Sequence, residues 1–146
     1  MDSRFTGADA DYGREHFSED PSYSAILGPY TAALNHYVRA ELEYENDLPY
    51  EILTMNVRPW SYKEFEGTHV TVANKLSAAM RANPHLKVHI AYGYLDGATP
   101  YYAAEHVVAH LQIPDDLHSN IEAAYYPAGH MMYVHEPSRV QQSKDL

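Results

Sequence analysis

The sequence predicts an α/β fold in which two short parallel strands are joined by a crossover helix. Residues 86–92 form a short apolar run that is typical of a buried strand, and residues 121–126 form a second, weaker strand candidate. Between them, apolar residues repeat at steps of three and four over residues 100–111, as in a helix. A strand, a helix and a strand in this order make a βαβ unit with parallel strands and a right-handed crossover.

Two strands are few for a sheet of this kind, because a parallel sheet buries both faces and normally contains more strands. The residues before position 86 offer helices and loops rather than further strands. We therefore expect this chain of 146 residues to be the last part of a larger sheet protein.

The composition indicates a folded protein and excludes several classes of site. Hydrophobic residues make up 45% of the chain and there are 14 tyrosines, which argues against disorder. The absence of cysteine excludes disulfides, thiol chemistry and zinc–thiolate centres. No apolar run reaches membrane-spanning length and the first residues lack a signal-peptide pattern, so we expect a soluble protein, either cytoplasmic or secreted.

The formal net charge of −10 is unevenly distributed along the chain. Residues 1–51 contain 11 acidic residues against three arginines, a net charge of −8, and the other 95 residues carry −2. Such an acidic surface argues against nucleic acid or an anionic membrane as a partner. An acidic excess more often serves to keep a protein soluble.

The first half of the chain predicts one helix between irregular segments. Residues 1–24 are polar, acidic and rich in turn formers, so we expect a loop there. The Asp9–Asp11 pair is similar to part of a calcium loop, but no EF-hand spacing follows it. Pro29 suits the first position of an amphipathic helix over residues 29–44. The aromatic-rich residues 50–67 are either a binding surface or, as we favour, a segment that packs on missing structure.

The second half predicts an alternation of helices and strands. A helix is expected over residues 68–82 and ends before Pro84, because the residue before a proline disfavours the α conformation. Thr99 suits the N-cap of the crossover helix, with the following proline as its first residue. Gly129 is expected to open a final short helix that Pro137 limits.

Two loops present the candidate catalytic residues. Asp96 follows the first strand and His130 follows the second, so both lie at the carboxyl end of the predicted sheet. Alone, Asp96 is more simply a turn residue, since Asp-Gly pairs commonly make turns, and His130 a packed or capping residue. Together they fit the order of the α/β hydrolases, a serine, then an acid, then a histidine. In such a triad the imidazole takes the serine proton and the carboxylate fixes its tautomer.

Two segments around these residues resemble the C-terminal third of a bacterial serine carboxypeptidase, a peptidase of the α/β-hydrolase fold. They are NPHLKVHIAYGYLDGATPYYAAEHVVAHL (83–111) and YYPAGHMMYVHEPS (125–138). The family's Gly-x-x-Asp-x-x-x-Pro and Gly-His-Met motifs are matched by Gly93, Asp96, Pro100, Gly129, His130 and Met131. The earlier segments DSRFTG, DPSYSAILGPYTAALNHYVRAEL and DLPYEIL are also similar to this branch. Tyr92 departs from the small or amide residue expected before Gly93.

The resemblance implies a fold, an activity and a role for each matched residue. Residues 1–67 would be a remnant of the helical lid, and residues 68–146 the C-terminal βαβ portion of the α/β-hydrolase core. In peptide hydrolysis, Asp96 would be the orienting carboxylate and His130 the general base and then the general acid. Met131 would line the pocket of the leaving residue. No cofactor or metal would take part.

The serine nucleophile of this family is absent from the sequence. In the family it lies in a Gly-Glu-Ser-Tyr-type elbow upstream of the lid, and none of the six serines before Asp96 lies between glycines. The oxyanion hole would be missing with the elbow. Because these losses lower the rate by several orders of magnitude, we expect the chain alone to be inactive. Its expected partners are a peptide substrate and the missing N-terminal portion of the same enzyme.

Two other classes of function stay open. Two pairs among the 10 histidines have metal-ligand spacing, His106 with His110 and His85 with His89, but neither pair encloses the glutamate of a metalloprotease motif. Alternatively, the chain is a non-catalytic structural or oligomerisation module derived from the same fold. The exposed strand edge of such a module would favour homo-oligomers.

Overall fold

The chain folds into two compact units, one formed by Met1–Arg4 together with Gly67–Leu146 and the other by Phe5–Glu66. The computed structural model describes residues 1–8, 13, 15, 19–52, 54 and 56–146. The Asp9–Asp11 pair that was weighed for calcium lies outside the described residues. Across the described ranges, no helix has the length and apolar character needed to cross a membrane.

Helices and two strands make up the regular structure of the described residues. The α-helices are α1 (Pro21–His36), α2 (Ala73–Ala82), α3 (Tyr101–Ala109), α4 (Asp115–His118) and α5 (Glu136–Asp145). The strands are β1 (Val88–Gly93) and β2 (Ile121–Tyr126). A π-helical turn covers Tyr37–Glu41, and 3₁₀ turns cover Lys63–Phe65 and Met132–Val134.

The two strands pair in parallel and confirm the predicted strand–helix–strand order. Their register runs from Val88 opposite Ile121 to Gly93 opposite Tyr126. In the part of the chain that the structure describes, they form a sheet of two strands, in the order β1-β2. The fold is therefore α/β with a small parallel sheet, and its carboxyl edge carries the two loops that follow β1 and β2.

A small core lies where β2 meets the C-terminal helix. The buried cluster consists of Tyr126, Ala128 and Met132, with Ala91 and Ala124 packed against it. The Tyr126 hydroxyl donates to Asp145 Oδ2 of α5 at 2.7 Å, so the polar end of the buried ring has a partner. Burying an aromatic ring of this kind contributes about 2–3 kcal/mol. This cluster holds the end of β2, where the His130 loop begins.

Four tyrosines join α3 to the sheet. The Tyr125 ring centroid lies 5.0 Å from that of Tyr92 and 5.6 Å from that of Tyr94. Tyr101, in the first turn of α3, meets Tyr94 edge to face at 5.6 Å. The Tyr125 hydroxyl donates to the Glu105 carboxylate, and this bond raises the pKa of Tyr125 to about 12. These contacts position the beginning of α3, directly after the Asp96 loop.

In the unit Phe5–Glu66, the first helix begins earlier than predicted. The predicted loop over residues 1–24 is wrong in its last part, because α1 begins at Pro21. Asp20 caps the helix, since its Oδ1 accepts the Ser22 N–H at 2.8 Å, and the proline occupies the first turn. Pro29 consequently lies inside α1 and not at its start.

The later part of this unit also differs in detail from the prediction. α1 ends at His36 and continues as the π-helical turn Tyr37–Glu41, so helical structure stops short of residue 44. The tryptophan of the aromatic-rich segment, Trp60, is 68% exposed. That this segment packs on other structure stays a prediction.

Several predicted boundaries are wrong in the unit of Met1–Arg4 and Gly67–Leu146. α2 begins at Ala73 and not at residue 68, because the Thr71 hydroxyl accepts the Ala73 N–H at 3.3 Å in a turn that competes with the helix. Pro137 lies in the first turn of α5 and opens that helix, whereas we expected it to limit one. After Gly129 the chain makes only a 3₁₀ turn before α5 begins.

Candidate active site

The two loops with the predicted site residues meet at the carboxyl edge of the sheet. The Leu95 N–H donates to the Ala128 carbonyl at 2.9 Å, and the Tyr94 N–H donates to the Tyr126 carbonyl at 3.0 Å. These main-chain bonds continue the strand pairing beyond β1 and β2. The loops are therefore held in one register, and Asp96 and His130 come together.

The Asp96 carboxylate is held by four hydrogen bonds, and its side chain is only 7% exposed. Its Oδ1 accepts the main-chain N–H groups of Ala98 and Thr99, both at 2.8 Å. Its Oδ2 accepts the Thr99 hydroxyl at 2.9 Å and lies 2.9 Å from His130 Nδ1. Asp96 is thus both a turn residue, as the Asp-Gly pair suggests, and the partner of His130, as a catalytic role requires. The two interpretations of this residue are compatible.

Asp96 is ionised at neutral pH. Burial raises the pKa of the carboxyl group, but the hydrogen bonds from the Thr99 N–H, the His130 ring and the Ala98 N–H outweigh this effect and lower it below its usual 3.8. An ionised carboxylate only accepts hydrogen bonds. It therefore requires a proton on the nitrogen that faces it.

His130 meets this requirement through Nδ1. Its ring is 41% exposed, and the ring's hydrogen bonds in the described part of the chain are to Asp96 and to the Thr99 hydroxyl, at 2.9 and 3.1 Å. Both involve Nδ1, so Nδ1 carries the proton and Nε2 is the basic nitrogen of the neutral ring. An imidazole oriented in this way can take a proton from a substrate or a nucleophile at Nε2.

A short segment, Met1–Arg4, crosses both loops; we call it the N-terminal strap. The Ser3 N–H donates to the Leu95 carbonyl at 3.1 Å, and the Met1 carbonyl accepts the His130 N–H at 3.3 Å. The strap therefore ties the aspartate loop to the histidine loop. The prediction of a plain loop at the start of the chain missed this role.

The strap is anchored by a partly buried ion pair between Asp2 and Arg4. The Asp2 side chain is 5% exposed, and its Oδ2 accepts Arg4 Nη2 at 2.7 Å and the Gly129 N–H at 3.0 Å. Arg4 Nη1 donates to the Pro127 carbonyl at 3.0 Å. The hydrogen bond from the Arg4 side chain lowers the pKa of Asp2 against the opposing effect of burial. In the sequence, this ion pair is indicated only by the Asp-x-Arg spacing.

Thr99 is the residue of this site that sequence reasoning missed. We expected it to cap α3, but the N-cap is Pro100, which makes no side-chain cap. The Thr99 hydroxyl is used instead in the contacts to Asp96 and His130. An Asp-Gly-x-Thr sequence could have indicated them, since aspartate side chains commonly bond the backbone two and three residues on.

Met131 lies directly after His130 at the start of the 3₁₀ turn and is half-buried. Its role in a leaving-residue pocket stays a prediction. A serine–histidine pair is formed elsewhere, by Ser138 Oγ and His135 Nδ1, 2.7 Å apart. Ser138 is 2% exposed at the start of α5, so it cannot reach a substrate. None of the described serines hydrogen-bonds to His130.

The histidines weighed as metal ligands do not form a metal centre in the described ranges. The ring centroids of His106 and His110 are 4.1 Å apart. His110 Nδ1 makes a hydrogen bond with the His106 carbonyl oxygen at 2.7 Å. Within the residues that the structure describes, no group of three or more histidine, aspartate or glutamate side chains could hold an ion.

Comparison of the chain with protein-family models, with curated proteins and with solved structures finds no match. The geometry is that of a carboxylate that orients an imidazole and leaves its Nε2 as a base.

Proposed function

We propose that this chain carries the aspartate and the histidine of a serine carboxypeptidase active site. The observation that supports this most directly is the 2.9 Å hydrogen bond between Asp96 Oδ2 and His130 Nδ1. An ionised, nearly inaccessible carboxylate beside a partly exposed imidazole is the arrangement that general-base catalysis by a triad needs. The order of the two residues along the chain also suits an α/β hydrolase.

The proposed reaction releases the C-terminal residue of a peptide through an acyl-enzyme. His130 Nε2 takes the proton of a serine hydroxyl as the serine attacks the scissile carbonyl, and then donates this proton to the departing amine. Asp96 stays ionised throughout, holds the ring in the productive tautomer and stabilises the imidazolium. Met131 lines the pocket of the departing residue. In a second round, His130 activates water to hydrolyse the acyl-enzyme.

The serine and the oxyanion hole of this enzyme are supplied by a polypeptide outside the present chain. Residues 68–146 are the C-terminal part of the α/β-hydrolase core, and residues 1–67 belong to its lid. The small two-stranded sheet supports this proposal, because isolated sheets of two strands are marginal and gain stability when further strands join them. The chain alone is inactive as a peptidase.

Co-expression tests the proposal. The chain is produced together with the polypeptide encoded directly upstream of Met1, and release of C-terminal amino acids from a set of blocked dipeptides is measured. We expect release by the mixture, none by the chain alone, and labelling of the upstream polypeptide by a fluorophosphonate. His130→Gln should lower kcat by about 10⁶-fold and Asp96→Asn by about 10⁴-fold. The matched control is His69→Gln, a substitution at an exposed histidine outside the site.

Two results would contradict the proposal. The first is stoichiometric fluorophosphonate labelling of the chain by itself, which would place a reactive serine within it. The second is a folded complex that releases no amino acid, or that loses no activity in His130→Gln. A folded but inactive complex would favour the non-catalytic structural module.

A further inference from the structure

Thr99 contacts both members of the Asp96–His130 pair. Its hydroxyl oxygen lies 2.9 Å from Asp96 Oδ2 and 3.1 Å from His130 Nδ1. Its own N–H donates to Asp96 Oδ1 at 2.8 Å. One residue therefore holds both oxygens of the carboxylate and also touches the ring nitrogen.

We propose that Thr99 is a positioning residue whose shared hydroxyl holds the His130 ring and the Asp96 carboxylate in the geometry of their Nδ1–H hydrogen bond. Its value for catalysis rests on the function proposed above. The shielding of the Nδ1 proton is a property of this chain and can be measured without any peptidase activity.

The Thr99 hydroxyl has one proton, which it donates to Asp96 Oδ2, and its lone pairs then accept from His130 Nδ1–H together with the same carboxylate oxygen. If Nδ1 lost its proton, its lone pair would face the lone pairs of the carboxylate, so the carboxylate disfavours the Nε2–H tautomer, which could not act as a base at Nε2. The hydroxyl bonds both partners at once and therefore holds the ring nitrogen at the carboxylate and shields its proton from water.

The Thr99 hydroxyl can be removed without breaking the turn that holds the Asp96 carboxylate. The turn is made by two main-chain N–H groups, those of Ala98 and Thr99, on Asp96 Oδ1. Because the donors are main-chain groups, replacing Thr99 by any residue except proline leaves both donors in place. Since Pro100 and not Thr99 is the N-cap of α3, removal of the hydroxyl does not remove a helix cap.

Nitrogen NMR of the His130 ring in the purified chain tests the proposal. Thr99→Val removes the hydroxyl and keeps the shape of the side chain, whereas Thr99→Ser keeps the hydroxyl. The control is Thr31→Val, because the Thr31 hydroxyl donates to the Leu27 carbonyl within α1. The ring nitrogen shifts report the tautomer, and saturation transfer from water reports the exchange rate of the Nδ1 proton.

In the wild type we expect the Nδ1–H tautomer with a slowly exchanging proton. Thr99→Val should exchange this proton about tenfold faster, the factor that a hydrogen bond to a charged group supports, and should keep the Nδ1–H tautomer, which the Asp96 carboxylate requires. Thr99→Ser and Thr31→Val should match the wild type. The proposal is overturned if Thr99→Val keeps the wild-type exchange rate, or if the wild type itself has the Nε2–H tautomer. Should the valine variant not fold, a serine variant without the wild-type NMR signature overturns it equally.

Failure of this proposal and failure of the proposed function give different results. In the co-expressed complex, Thr99→Val should lower kcat and leave KM unchanged, and Thr99→Ser should restore kcat. A complex without peptidase activity would contradict the proposed function and leave the NMR result standing. An active complex in which Thr99→Val leaves the exchange rate of the Nδ1 proton unchanged would contradict only the role of Thr99.

Discussion

Gly93 and Gly129 lie against each other where the two strands end. A Cβ atom on Gly93 would lie 2.5 Å from the Gly129 carbonyl oxygen and 2.6 Å from the Ala128 carbonyl oxygen, both main-chain atoms. A Cβ atom on Gly129 would lie 2.3 Å from Asp2 Cγ. Neither position has room for a side chain, and this close approach of the backbones lets the loops of the site touch.

Gly93→Ala should destabilise the chain and separate the two loops. The added methyl group meets main-chain atoms, which cannot turn away as a flexible side chain would, so we expect a loss of about 1–3 kcal/mol in the free energy of unfolding. Urea denaturation measures it. The control is Gly97→Ala, since nothing lies within 4 Å of the Cβ position there. Equal losses in the two variants would contradict the close approach.

Arg4→Met should weaken the N-terminal strap. The substitution removes the Arg4 guanidinium from the buried Asp2 carboxylate, which keeps its bonds to the main-chain N–H groups of Arg4 and Gly129. Because the Arg4 side chain is partly exposed and its attraction partly screened, we expect a loss of about 1–2 kcal/mol in the free energy of unfolding. The amide NMR signal of His130, whose N–H bonds the strap, should also move. Arg139→Met, at an exposed 3.8 Å ion pair with Glu136, should change stability by less than about 0.5 kcal/mol.

Acid should remove the contribution of Asp96 to stability. Since its pKa is lower in the folded chain than the usual 3.8, ionised Asp96 stabilises the fold above that pH, and the contribution is lost as the pH falls through the folded value. The free energies of unfolding of the wild type and Asp96→Asn, measured from pH 7 to pH 2, should differ by a constant amount above about pH 5 and converge below about pH 4. A constant difference down to pH 2 would contradict the lowered pKa.

Alkali should destabilise the chain through Tyr126. Burial, followed by the hydrogen bond to Asp145, raises the pKa of Tyr126 from 10.0 to about 12. The neutral phenol is favoured in the folded state, so its contribution is complete below pH 10 and is lost as the pH rises through the folded value.

The variant Tyr126→Phe should cost about 1 kcal/mol at pH 7, because the bond to Asp145 is lost, and its stability should fall less steeply between pH 10 and 12 than that of the wild type. Chemical denaturation across this range measures both effects. The control is Tyr102→Phe, at an exposed tyrosine on α3. An alkaline slope in Tyr126→Phe as steep as that of the wild type would show that Tyr126 does not cause it.

The sequence predicted the elements whose signals are local. An apolar run between turn residues identified β1. The limits predicted for β2 are the observed ones, and α2 ends before Pro84 as expected. The same local signals placed Asp96 and His130 after parallel strands, and parallel pairing alone brings such loops to one edge of a sheet.

Helix beginnings were predicted less well, because competing caps look alike in sequence. Asp20 before Pro21 and the glycine before Pro29 both suggest a helix start, and only the hydrogen bond from the Ser22 N–H to Asp20 shows which one is used. At α3, either Thr99 or Pro100 could be the N-cap. Pro100 takes this position because the Thr99 hydroxyl bonds Asp96 and does not cap the helix. A hydroxyl group can serve a helix or a neighbouring loop, and its sequence neighbours do not decide between them.

The sequence by itself determined that this chain forms a strand–helix–strand unit with an acid after the first strand and a histidine after the second. Only the tertiary structure decided that these side chains bond at 2.9 Å, that Thr99 joins them, and that the Met1–Arg4 strap ties their loops together. The physical reason is the distance along the chain over which each kind of interaction acts. Periodicity and turn chemistry act over a few residues, whereas the bond from Asp2 to Gly129 joins positions 127 residues apart and exists only once the core has placed both ends.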